Sequence, residues 1–194
     1  MERIAYLDIE TSWQKKITVI GVYRPTRGTS QLVAPDISRR RLLDLLNGVR
    51  LIYTYNGGRF DLPVIDGHLG INLAEHFEHR DLMFDCWRNK LKGGLKAVEK
   101  RLGIHRDTEG IDGLAAMNLW SAHRKGNPEA LEILLRYNRE DVENLEILAG
   151  KLGVLPDLDS LNLFSCSAGF LSRTPSPPRR LWGEGGGEGI IDED

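Results

Sequence analysis

Asp8 and Glu10 stand two residues apart in Ile4-Ala5-Tyr6-Leu7-Asp8-Ile9-Glu10-Thr11, a run rich in β-branched and aromatic residues. Such a run predicts a strand. Alternation along a strand sends both carboxylates to one side, together with Ile4 and Tyr6, and sends Leu7 and Ile9 to the other. Two like charges so close repel, and burial makes their ionisation costlier unless a cation lies between them. A hard divalent ion with oxygen ligands is the natural cation. Taken alone, the pair also fits an ordinary solvated strand end.

Further acids occur at places compatible with the same chemistry. Asp61 closes Asn56-Gly57-Gly58-Arg59-Phe60-Asp61, which follows an apolar strand-like run and opens a helix with Pro63 in its first turn. An acid there suits the helix dipole, which is a sufficient local reason for it. In a mostly parallel layout such junctions gather at the carboxyl ends of neighbouring strands, where open sheets bind ligands.

Asp141 lies inside a long helical pattern, four residues after Tyr137, so phenol and carboxylate share a helix face. Asp is a poor interior helix residue, and it stands at the edge of the apolar row Leu134, Tyr137, Leu145. A half-buried anion there calls for a partner, either a nearby basic side chain or a metal. Four carboxylates from three distant segments can meet at one sheet edge around one or two Mg²⁺ or Mn²⁺ ions. Two such ions about 3.5–4 Å apart stabilise the attacking and leaving oxygens of an in-line phosphoryl displacement. Tyr137 then orients the attacking water or helps to deprotonate it.

The elements that must position these groups read as follows. Arg3–Ser12, Lys16–Arg24 and Ser30–Ala34 predict an antiparallel meander. Ser38 caps a helix running through Leu46, and Leu51–Tyr55 is a fourth strand, parallel to the first by a crossover. His79–Phe84 reads as a fifth strand, with His79 and Asp81 either close to the site or, as the more ordinary outcome, in structural roles. From Gly93 onward the pattern is helical, with segments ended by Gly103 and Gly126. Asn127-Pro128-Glu129 opens a long helix to about Leu152. Residues 1–153 make one domain, and the Pro- and Gly-rich stretch 154–194 is expected to be a disordered tail.

Composition narrows the classes. The 194 residues are 41% hydrophobic and carry a net charge of −2, so no global positive field draws the protein to nucleic acid. Cys86 and Cys166 are too few for a disulfide framework or a cysteine-rich zinc site. No apolar run reaches the roughly 18 residues of a membrane span, and the expected location is the cytoplasm.

The motifs resemble those of the DEDD superfamily of 3′–5′ exonucleases, which have a ribonuclease H-like fold. Asp8-Ile9-Glu10 is similar to the first motif of that family. Asn56-Gly57-Gly58-Arg59-Phe60-Asp61 is similar to the second. Tyr137-Asn138-Arg139-Glu140-Asp141 is similar to the tyrosine form of the third, and Arg136 stands where the histidine form needs His. The resemblance spans about Arg3 to Leu148. It implies a mixed five-stranded α/β sheet flanked by helices. It also implies two metals on Asp8, Glu10, Asp61 and Asp141, a nucleophilic water placed by Tyr137, and a site near the terminal nucleotide shaped by Asn56 and Phe60.

Basic residues crowd between Arg88 and Arg106, and Lys92, Lys96 and Lys100 repeat every four residues. They line one face if their helix starts early enough, either as phosphate contacts or as a plain solvated face. Trp13 is placed to stack on a base, or else to serve as a core or rim residue. The expected activity is metal-dependent 3′–5′ hydrolysis of DNA or RNA to nucleoside monophosphates, from a single-stranded 3′ end. The alternatives are a catalytically silent nucleic-acid-binding module and a structure-specific endonuclease.

Overall fold

A computed structural model describes residues 3–156. Of the stretch 154–194 expected to be a disordered tail, Val154 is held by the Tyr53 hydroxyl, which donates to its carbonyl oxygen at 2.7 Å, while residues 157–194, Cys166 among them, lie outside the described residues.

β1 (Ile4–Thr11) is the centre of a five-stranded mixed sheet. β2 (Ile17–Arg24) pairs antiparallel with it, and β3 (Gly28–Val33) pairs antiparallel with β2. On the other side, β4 (Leu51–Thr54) runs parallel to β1, and β5 (Glu78–Asp81) runs parallel to β4. The order is therefore β3-β2-β1-β4-β5, an antiparallel meander joined to a parallel half, as the sequence predicts.

Helices cover both faces. Leu7 and Ile9 enter a core with Leu42 of α1 (Arg39–Leu45), Leu62 and Ile65 of α2 (Asp61–Leu69) and Leu73 of α3 (Leu73–His76). Val19 on the opposite face packs with Trp120 of α6 (Gly113–Arg124) and with Leu134 and Tyr137 of α7 (Pro128–Lys151). Tyr6 is fully buried on that second side, stacked 5.2 Å from Tyr53 and tilted 5.9 Å from Tyr23. The strand alternation thus divides β1 between two cores and brings its acids out beside α7.

Capping sets the ends of these helices. The Ser38 hydroxyl accepts from Arg41 N–H, and the Asn127 side chain accepts from Ala130 N–H, with Pro128 at the first position of α7.

Two boundaries differ from the sequence reading. The fifth strand stops at Asp81, and Leu82–Arg88 form α4 instead of continuing it. The cause is the Asp81 carboxylate, which caps α4 through Met83 N–H at 3.0 Å. The basic helix starts late: α5 (Leu95–Leu102) follows Gly93 and Gly94, so Lys92 precedes it and the three lysines do not form one helical stripe. None of the described helices is long and apolar enough to cross a membrane.

Candidate active site

Asp8, Glu10 and Asp141 bring one carboxylate oxygen each to within 4.8 Å of one another. β1 supplies the first two as same-face neighbours, and α7 supplies the third from its sheet-facing side. Asp61, at the start of α2, lines the same cleft, as do Asn56, Phe60, Lys96 and Tyr137. Asp61 is buried, and its Oδ1 accepts the Ile9 N–H at 3.0 Å, which ties the second motif to the first strand. The four acids of the sequence reading therefore share one cleft, with Asp61 outside the tight cluster of three.

The turn that delivers Asp61 is built for close approach. Asn56 has a φ of 62°, and a Cβ on Gly57 would lie 2.3 Å from the Thr54 hydroxyl oxygen. Asp81 accepts from the backbone N–H of Asn56 at 2.7 Å and of Gly58 at 3.2 Å. His79 bonds Thr54 across 2.8 Å. Both residues thus take the structural roles expected of them.

Charge is concentrated here. Burial holds Asp8 and Glu10 well above the ordinary carboxyl range, and the neighbouring Asp141 adds to it in both cases. Burial likewise lifts Asp61 to about 7, against the lowering effect of the Ile9 N–H. The Tyr137 hydroxyl is pushed far above its usual value by burial and then by the charges of Asp141, Glu10 and Asp8. In the metal-free fold the phenol is therefore held in its neutral, hydrogen-bonding form.

Asp141 has found basic partners as well. Lys96 Nζ donates to its Oδ2 at 2.9 Å and to the Tyr137 hydroxyl oxygen, and Arg106 Nη2 donates to its Oδ1. Arg106 is itself held by Glu99 through two bonds of 2.8 and 3.0 Å. Burial still outweighs both cations, so the Asp141 carboxyl remains raised. The salt-bridge alternative for Asp141 is therefore realised alongside its place in the acid cluster.

The sequence reading singled out neither Arg106 as an active-site residue nor Asn138. Asn138 Nδ2 donates to Asp8 Oδ2 at 2.9 Å, and its own oxygen accepts from Gln31 Nε2 at 2.9 Å. Asn138 lies inside the third motif, one position from Tyr137, and that position was the available signal. Of the other expected substrate contacts, Trp13 is 53% exposed in the β1–β2 turn, outside the cleft lining. Lys92 and Lys100 are exposed and lie outside that lining, so Lys96 is the lysine of the three that reaches the acids.

An all-oxygen donor set with mutually repelling, buried carboxylates fits a hard divalent ion such as Mg²⁺ or Mn²⁺. A profile of the RNase H superfamily matches residues 5–153. The chain is similar to the family B DNA polymerase of the hyperthermophilic archaeon Pyrobaculum calidifontis, at 19% identity and a TM-score of 0.61. That match covers 78% of this chain and 24% of the polymerase, so the chain spans about a quarter of that protein's length. A weaker likeness links it to the EXD2 exonuclease domain soaked in Mn and GMP, at 13% identity and a TM-score of 0.36, covering 89% and 86% of the two chains. No curated protein matches the sequence.

Proposed function

This chain belongs to the RNase H superfamily, and from that premise we propose that it is a metal-dependent nuclease that removes nucleotides from the 3′ end of DNA or RNA. One observation carries the reading: Asp8, Glu10 and Asp141 from two distant segments present their oxygens within 4.8 Å of one another, with the Tyr137 phenol beside them. Mutual repulsion of this kind is costly in a site with no cationic ligand.

Asp8, Glu10 and Asp141 would hold one ion, and Asp61 with Asp8 a second. When bound, such ions stabilise charge on the attacking and leaving oxygens of a phosphodiester. Lys96 donates to the Tyr137 oxygen, so the phenolic proton is free to point into the cleft and orient the attacking water. Asn138 keeps Asp8 turned toward the cleft. Phe60 and Asn56 border the position of the terminal nucleotide.

The test uses end-labelled single-stranded DNA and RNA with Mg²⁺ or Mn²⁺. Stepwise shortening from a free 3′ end is expected for the parent, and near-complete loss of turnover for Asp8→Ala and Asp141→Ala with folding retained. Equal turnover in parent and variants removes the assignment, and an internal cut makes it an endonuclease.

A second reading, a catalytically silent nucleic-acid-binding module, is favoured by the two cations already on Asp141. It requires that divalent ions leave the melting temperature of the protein unchanged.

A further inference from the structure

Next to the acid cleft the surface carries an aromatic group with no core to fill. α4 buries Leu82, Met83, Asp85 and Cys86 against the domain, while Phe84 and Trp87 stay 37% and 42% exposed on its outer side. Their rings meet edge to face, with centroids 5.5 Å apart. The Arg59 guanidinium lies 5.6 Å from each centroid. Arg59 is also the neighbour of Phe60, which is 42% exposed and lines the cleft.

This grouping is held in place rather than left to chance. A single carboxylate, Asp81, bonds the turn that carries Arg59 and Phe60 and also caps the helix that carries Phe84 and Trp87. The two aromatic edges therefore keep a fixed relation to the acids.

The surrounding charge is one-sided. Within residues 82–92 the single acid is Asp85, which is buried and neutralised by Arg80 and Arg88. Arg88, Lys90 and Lys92 remain exposed on the same stretch. Flat aromatic and guanidinium surfaces ringed by cations suit a polyanion that carries its own stacking rings. An apolar protein partner would instead leave those cations desolvated and unpaired.

We propose that Arg59, Phe84 and Trp87 form a stacking platform for single-stranded nucleic acid, holding the nucleotides that precede the one in the acid cleft. The proposal rests on the nuclease reading for the direction of the strand. Bases stack on Trp87 and Phe84, Arg59 bridges the two rings, and Arg88, Lys90 and Lys92 meet the phosphates. Binding is tolerant of sequence, because every base has a face to stack.

The test measures binding in EDTA, so it is independent of turnover. A short oligothymidylate and oligouridylate, each about eight nucleotides long, are titrated by fluorescence anisotropy. Trp87→Ala and Phe84→Ala are each expected to weaken binding about ten-fold. Trp87→Phe, which keeps an aromatic face, is expected to stay within about two-fold of the parent. The parent's tryptophan emission should be quenched on binding, and Trp87→Phe should lose most of that quench. Unchanged affinity in the alanine variants, or no binding by the parent, overturns the platform. So does a parent dimer in sedimentation that Trp87→Ala splits, since the patch is then a self-association surface. The nuclease reading stands or falls separately, on metal-loaded turnover by the parent.

Discussion

Asn138 donates from Nδ2 to Oδ2 of Asp8 across 2.9 Å, linking α7 to the first acid of β1 over 130 positions of chain. Gln31 on β3 holds the amide in that sense by donating to the Asn138 oxygen. The contact needs room, and Gly21 on β2, paired with Asp8 in the sheet, provides it: a Cβ there would lie 2.3 Å from the Asn138 oxygen. Asp8, Gly21, Gln31 and Asn138 thus form one unit that sets the direction of a single carboxylate.

Gly21→Ala is expected to cost about 1–3 kcal/mol in denaturant unfolding, because the clash displaces a buried amide, and to lower turnover sharply. Combining it with Asn138→Ala should recover most of the stability and none of the activity. A double variant as unstable as Gly21→Ala alone would mean that the glycine serves some purpose other than admitting Asn138.

Lys96 and Tyr137 should behave as a pair. Lys96→Ala and Tyr137→Phe are each expected to lower kcat roughly a hundred-fold, with KM little changed. The double variant should be hardly worse than either, since both remove one oriented hydroxyl. Strictly multiplicative losses would separate the two roles.

Acidity in the cleft predicts how pH and metal interact. Asp61 titrates near 7 in the fold, against an ordinary value of about 3.9. A group raised in this way contributes stability that is fully present below its unfolded pKa and is lost as pH rises through the folded one. The metal-free protein should therefore melt progressively lower from about pH 4 to pH 7. Divalent ions bind the deprotonated acids, so the rise in melting temperature on adding Mn²⁺ should grow over the same range. A metal-induced shift that is flat with pH, measured by thermal denaturation, would show that these carboxylates are not the ligands.

Asp81→Ala is expected to cost roughly 1–3 kcal/mol, because it leaves three backbone N–H donors without their acceptor. Hydrogen exchange should quicken in both the 56–61 turn and α4. Loosening of α4 alone would contradict the double attachment.

Much of the fold follows from local patterns. Alternation in β1 was enough to place Asp8 and Glu10 on one side and Leu7 and Ile9 on the other. The Asn127 cap, Pro128 and the i, i+4 spacing were enough to place Tyr137 and Asp141 together on α7. These features depend on a few adjacent residues and on the two backbone periods, so the amino-acid order determines them directly.

The partners of those groups were decided elsewhere. Asn138 on Asp8, Arg106 and Lys96 on Asp141, and Asp81 on the N–H of Asn56 all join residues between 25 and 130 positions apart. The end of β5 is a different case: Leu82, Met83 and Phe84 read as a continuation of the strand, but the Asp81 carboxylate caps them locally as the first turn of α4. No periodicity encodes which charged side chain meets which. That choice arises when α5 and α7 close over the sheet, and buried polar groups must then find whatever donors and acceptors the packing brings within reach.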